Sequence, residues 1–385
     1  MKSQATYIPN LTPLRGIAAL MVAVYHFEEL GARFLNPQHS LLIRKSYLMV
    51  DLFFVMSGFV MLHVYGESFS RVLRWDIFKQ FIIARFARLY PLHLFTLLLA
   101  VVFFYASHSP ADAINNPAAI PTHLLLLQSF GIHHIFTWNV PSWSISAEWW
   151  SYMLFPLLVL LLGKNNIATI VFMLLLSAGF YVSILYFLPR VNPFVPAIPK
   201  PHDLNVTYDF GFLRGLAGFM AGMVTYTFYQ RKRVRFFFST DFSAISYTLL
   251  LLAALHFGIN DILYIPLFMA LVLAIAANQQ AIHKICMVKP LQFIGDISYS
   301  IYLVHCNLIF LIAVPFIQKM RFAYKGPGSL QVPFWTGLAI CSVFLVSVIA
   351  VSSVTYYLIE KPCRKWINKN FVNQDRKLAV VTAVK

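Results

Sequence analysis

The stretch LTPLRGIAALMVAVYHF, Leu11–Phe27, decides how the rest of the chain is read. It is almost wholly apolar, yet it carries Arg15 and His26. Pro9 and Pro13 stand at its start and no A-x-A site follows, so it reads as a retained membrane helix and not a cleavable signal. The whole chain agrees. Of its 385 residues 59% are hydrophobic and 11% charged, where soluble domains carry about 25% charged residues. With 36 Phe, 19 Tyr and 7 Trp to bury, disorder is excluded as well.

Working outward, apolar runs predict an all-α polytopic protein of about ten transmembrane helices in one bundle. They fall at 11–31, 47–65, 90–107, 146–163, 167–188, 209–230, 242–257, 262–278, 297–318 and 334–359. Residues 122–136 (THLLLLQSFGIHHIF) are apolar but short and read as interfacial or re-entrant. Residues 1–366 form the membrane domain, and 367–385 are expected to be a basic cytosolic tail. With the N-terminus in the cytosol, inside segments hold 20 Lys and Arg and outside segments hold 8. Counting 122–136 as a full span would turn the RKRVR loop and the tail outward. The net charge of +16 is explained by this bias and by anionic lipid, so nucleic acid is not expected as a partner. The cysteines Cys286, Cys306, Cys341 and Cys363 are scattered, which predicts neither a disulfide framework nor a metal site.

Ionisable residues inside spans are costly, and therefore functional candidates. Arg15 and His26 lie eleven residues apart, about three turns, on one face and ~16 Å apart along the axis. Asp51 and Glu148 each enter from the outer side and are expected near the level of His26, where a carboxylate would orient a basic histidine. Asp51 has an equal alternative, an ion pair with Arg214 on the sixth span. On the cytosolic side, Arg85 and Arg88 in RFARLYP share a helical face that suits phosphates, at the depth of Arg15. Weaker candidates are His305, near Tyr299 and Tyr302, and His63 and His93 near the inner face. Ser57 and Gly58 in VMSGF read as close helix packing. Together these residues suggest an anion site at the inner mouth and a base further out.

The ordered pieces Leu11–Phe27, VDLFFVMSGFVM (Val50–Met61), RFARLYPLH (Arg85–His93), PSWSISAEWWSYMLFP (Pro141–Pro156), GDISYSIYLVH (Gly295–His305) and EKPCRKW (Glu360–Trp366) resemble the acyltransferase-3 family of integral-membrane acyltransferases. The resemblance implies transfer of an acyl group, often acetyl, from cytosolic acyl-CoA to a hydroxyl of an extracytoplasmic glycan. Lipopolysaccharide O-antigen, exopolysaccharide or a lipid-linked saccharide would be the acceptor, in a bacterial inner membrane. A minority of the family acylates small molecules such as macrolides. The family's motif residues fall on Arg15, His26, Arg85, Arg88 and Glu148. The chain ends about 20 residues after its last motif, so the SGNH domain of some members is not expected.

The mechanism so implied places acyl-CoA, acetyl-CoA in the commonest case, at Arg15, Arg85 and Arg88. His26 acts as general base or as acyl carrier, with Glu148 and Asp51 beside it, and Arg214 and His305 as weaker substrate contacts. No permanently bound cofactor or metal is expected. The rival class is a transporter or proton-coupled permease, which also uses intramembrane Arg, His and Glu.

Overall fold

The computed structural model describes residues 7–36, 38–70, 73–106, 114–163, 166–188, 202–314, 316–317 and 332–372. The described residues are helical, with no strand among them. Several of the basic residues that set the expected orientation, among them Lys2, Arg71, Lys164 and Arg190, lie outside the described residues, as does the tail beyond residue 372.

A helix stands at each of the ten predicted positions. These are α1 (Leu11–Phe27), α2 (Met49–Phe69), α3 (Trp75–Ala106), α5 (Trp143–Leu162), α6 (Ile167–Val182), α7 (Gly211–Gln230), α9 (Asp241–Phe257), α10 (Tyr264–Ala277), α13 (Ser298–Leu308) and α14 (Phe334–Thr355). Shorter helices α4 (Ile120–Leu124), α8 (Lys232–Phe238), α11 (Ala281–Cys286), α12 (Lys289–Asp296) and α15 (Lys361–Ile367) fill the connections. Five helical stretches among the described residues are long and apolar enough to cross a bilayer. The number is seven if the bent pairs α8–α9 (70°) and α12–α13 (63°) each count as one span. Length and composition therefore support a polytopic membrane protein without reaching a count of ten. Outward faces carry residues such as Phe172, Leu175, Leu249, Val343 and Val346, all exposed, as expected where lipid is the solvent.

Local chemistry sets the helix ends. Asn166 accepts from Thr169 N at 2.9 Å to open α6, and Thr240 Oγ1 accepts from Ser243 N at 3.2 Å to open α9. Gly258, at φ +71°, closes α9 by donating its N–H to Ala254 O at 2.8 Å. The helix α3 begins fifteen residues before the predicted span start at Tyr90, taking in the stretch that carries Arg85 and Arg88, and it runs through Pro91 without ending there.

The bundle is organised around α7, which packs on α2, α5, α6 and α10. Its small residues let backbones touch. A Cβ on Gly222 would lie 2.0 Å from Val55 O, and one on Gly58 would lie 1.9 Å from Phe219 O. Gly58 is thus packing, as its sequence context suggested. A fully buried ion pair locks the same interface. Arg214 donates from Nη2 to Asp51 Oδ2 at 2.6 Å and from Nε to Asp51 Oδ1 at 3.1 Å. It also donates to the carbonyls of Tyr47 and Val206, each at 3.1 Å.

The segment between α3 and α5 does not skirt the bundle. His123, Leu126, Gln128, Ser129 and Asn139 are all buried, and Asn139 Nδ2 donates to Thr96 Oγ1 at 3.0 Å and to Leu303 O at 3.3 Å. Leu126 adopts φ +55°, a conformation that costs a non-glycine residue roughly 1–3 kcal/mol. Its carbonyl accepts from Ser146 Oγ at 2.6 Å and Trp150 Nε1 at 2.8 Å, and these bonds hold the strained turn against α5.

Candidate active site

A cavity of about 200 Å³ opens between α1, α2, α3, α5 and α13. Arg15 reaches it from α1, Ser57 from α2, Arg85 and Arg88 from α3, Glu148 and Tyr152 from α5, and Tyr299 and Tyr302 from α13. The structure thus brings the three predicted arginines to one cavity, from helices far apart in sequence. Three guanidiniums against apolar walls make a site for a polyanion.

Arg88 and Arg85 are held differently. Arg88 forms an ion pair with Glu360, which is 1% exposed and also accepts from Ser300 Oγ at 2.9 Å. The Arg88 guanidinium lies over the Tyr299 ring at 5.2 Å. Arg85 donates from Nη2 to Tyr65 OH at 3.1 Å and lies over that ring, while its Nε is buried with no partner among the described residues. A buried guanidinium N–H left over in a cavity wall is a donor for an anionic ligand.

Glu148 faces this cavity. Ser57 Oγ donates to it at 2.8 Å, and Tyr152 OH, one turn along α5, donates to it as well. The cavity groups Glu148 with the arginines, and His26 is not among its lining residues. The turn Val140–Ser142 that feeds α5 is itself buried, and α5 carries Glu148 to the cavity of the arginines. Asp51 and Arg214 hold each other and do not line the cavity, so for Asp51 the ion-pair alternative is the observed arrangement.

His26 meets His305. His305 Nε2 lies 3.0 Å from His26 Nδ1, with ring centroids 5.0 Å apart. His305 is fully buried, whereas His26 retains some exposure. The pair sits behind the cavity wall: the Tyr302 ring, which lines the cavity, is 5.9 Å from that of His305, and Tyr302 OH accepts from Ser144 Oγ at 2.8 Å. Cys306 adds a third atom, all within 4.8 Å of one another. The two histidine nitrogens, however, already share a hydrogen bond, closer than the ~3.3 Å that ligands 2.0–2.3 Å from one tetrahedral metal keep between them.

A second buried knot lies alongside. His93 Nε2 donates to His123 O at 3.0 Å, so His93 is interior and not interfacial. His123 Nε2 pairs with Thr137 Oγ1 at 2.7 Å, and Gln128 Nε2 donates to Ser142 O at 2.9 Å. Burial pushes the His123 imidazole down to about 3, which keeps it neutral. His63 lines the cavity, with Nδ1 3.1 Å from Tyr226 OH.

Sequence reasoning missed Ser57, Tyr152 and Glu360 as parts of the site. Two signals were present: Tyr152 is four residues from Glu148 on one helix face, and Glu360 is a lone acid in a basic stretch.

A family model described as an acyltransferase domain, Acyl_transf_3, matches residues 8–356. O-acetyltransferase OatA of Staphylococcus aureus is 26% identical over 385 residues, covering 93% of this chain and 57% of that protein. Acyltransferase MdmB of Streptomyces mycarofaciens is 31% identical over 176 residues, 43% of this chain and 42% of that protein. The protein named protein 2 in picA locus, from Rhizobium radiobacter, is 42% identical over 94 residues, 24% of this chain and 44% of its own. The chain thus spans about half the length of the curated relatives it matches. No solved structure is significantly similar to it.

Proposed function

The chain belongs to the acyltransferase-3 family, and from that premise we propose that it is a membrane O-acyltransferase that moves an acyl group from acyl-CoA to a hydroxyl of an extracytoplasmic glycan. Acetyl is the group to test first, because OatA is by name an O-acetyltransferase. The observation that carries the reading is the cavity itself. Arg15, Arg85 and Arg88 line it as an anion site, and Tyr302 separates the same cavity from the His26–His305 pair.

In this reading the phosphates of CoA bind the arginines, Arg85 Nε among them, and the pantetheine arm enters between α1, α2 and α5. The thioester supplies the activated acyl group. Glu148, fixed by Ser57 and Tyr152, offsets the three cations before the donor binds and lines the path of the arm. His26 takes the proton of the acceptor hydroxyl, or takes the acyl group itself, and the CoA thiolate leaves toward the cytosol. The protein sits in a bacterial cytoplasmic membrane with both termini in the cytosol, which puts the arginines on the side of CoA.

The test is transfer of label from acetyl-CoA by purified protein in detergent, with free CoA measured in parallel. Donor-dependent CoA release and labelled glycan are expected. A protein that binds or moves substrates across vesicles but never cleaves a thioester is a transporter, and overturns the proposal. Mass spectrometry of surface glycans with and without the gene identifies the acceptor, and an unchanged glycan beside an acylated small molecule would replace the glycan with that molecule.

A further inference from the structure

The hydrogen bonds around the two histidines fix which nitrogen of each carries a proton. His305 Nδ1 lies 3.1 Å from the carbonyl of Ile301, one turn back on α13. A carbonyl only accepts, so Nδ1 of His305 is protonated, and its Nε2 in the neutral ring is a lone pair. That lone pair is 3.0 Å from His26 Nδ1, which must therefore donate. His26 is left with Nδ1–H and with Nε2 as its free basic nitrogen.

We infer that His305 is a positioning residue that holds His26 in the tautomer whose Nε2 works on the substrate. The inference deepens the proposed function and rests on it for its catalytic meaning. The structural part stands on geometry alone. A fully buried ring anchored to its own helix cannot rotate away, while its partner keeps some exposure, so one histidine is the fixed half and the other the working half. A histidine can orient a second histidine as a carboxylate does, through an acceptor aimed at Nδ1–H. Here the acceptor is neutral, so the pair adds no negative charge. Both routes open to His26 use the same nitrogen. As general base, Nε2 receives the hydroxyl proton while the acceptor oxygen bonds the acyl carbon and the C–S bond breaks. As carrier, Nε2 bonds the acyl carbon as the CoA thiolate leaves, and the acceptor oxygen later displaces the imidazole, whose freed Nε2 takes the hydroxyl proton.

The test has two arms. In the first, ¹⁵N-histidine-labelled protein is examined by NMR, with His26→Gln identifying the His26 signals. The expected spectrum shows Nδ1 protonated and Nε2 unprotonated at His26 in the wild type, whether or not any substrate is turned over. The opposite tautomer overturns the inference. So does a stoichiometric metal that is lost in Cys306→Ala, since a metal would claim the nitrogens that now share a proton. In the second arm, His305→Gln, which keeps an acceptor near the position of Nε2, is compared with His305→Leu, which removes it. His305→Leu should lower kcat by roughly 10²–10⁴-fold, as loss of a tautomer-fixing partner does elsewhere, while KM for the donor stays close to wild type. His305→Gln should recover much of that activity. Equal kcat in the Gln and Leu variants at equal melting temperature overturns the positioning role. If His305→Leu does not accumulate, the wild-type spectrum and His305→Gln against His305→Asn still decide, because Asn places its acceptor at the wrong distance. A wild-type protein with the expected tautomer but no transfer from any acyl-CoA overturns the proposed function and leaves the tautomer assignment intact.

Discussion

Removing Asp51 alone should unfold the protein's central interface, whereas removing it together with Arg214 should not. Arg214 is 0% exposed and makes its shortest bond, 2.6 Å, to Asp51. In Asp51→Leu the guanidinium keeps the carbonyls of Tyr47 and Val206 and the rings of Tyr47 and Trp143, and it loses its one ion-pair partner among the described residues. Stranding one member of a buried ion pair costs about 3–5 kcal/mol, and whole-protein stability is on the order of 5–15 kcal/mol. Asp51→Leu should therefore lose much of its membrane abundance and melt well below wild type in detergent. The double variant Asp51→Leu with Arg214→Met replaces the pair by apolar side chains, a change that is often neutral. It should recover most of the stability, and the double-mutant cycle should show strong coupling. Thermal unfolding of the purified variants, read beside acyl transfer per folded molecule, separates two roles. An Asp51→Leu protein that melts like wild type yet transfers nothing would refute the structural reading and return Asp51 to the chemistry.

Arg85→Ala with Arg88→Ala should raise donor KM far more than acceptor KM, at about 1.5–3 kcal/mol for each charge-assisted hydrogen bond to phosphate removed; a rise in acceptor KM alone would place CoA elsewhere. Glu360→Gln should act in the same direction but less, because it releases Arg88 without removing it, and donor KM on the folded variant checks this. The His123 imidazole, held near 3 by burial against about 6.5 in an unfolded chain, is neutral when folded. The unfolded state then binds the extra proton between those values, so stability should fall as pH drops below about 6.5 and level off near 3. His123→Gln should flatten that part of the pH–stability curve, and an unchanged curve would assign the slope to other groups. Reporter fusions at residues 2 and 380 should both report the cytosol, and a periplasmic signal from either would break the proposed orientation.

The helices were legible because apolar runs in a chain so poor in charge leave few alternatives. Their meeting points were less so. Arg15, Arg85 and Arg88 could be placed at one depth by counting residues, and they share a cavity. The same counting set Glu148 near His26, whereas the cavity that Glu148 lines is that of the arginines, and His26 does not line it. The helix α3 starts well before the predicted span because it continues through the charged stretch that bounds the apolar run, and Pro91 does not end it. Depth alone left Asp51 poised between His26 and Arg214, and only rotation about the helix axes settles that. Tertiary contacts likewise decide that Ser57 faces the cavity while its neighbour Gly58 faces α7. The pairing of His26 with His305 joins residues 279 apart in the chain, beyond any spacing argument.

The central claim is that His26 works on the acyl group or its acceptor, and His26→Gln tests it most directly. The substitution keeps size and a hydrogen-bonding amide but removes the basic nitrogen. Wild type and variant are reconstituted at equal amounts and matched melting temperature, given labelled acetyl-CoA and glycan acceptor, and assayed for labelled product. The account predicts a loss of at least ~10²–10⁴-fold in transfer with donor binding retained. Near wild-type transfer by folded His26→Gln would contradict it.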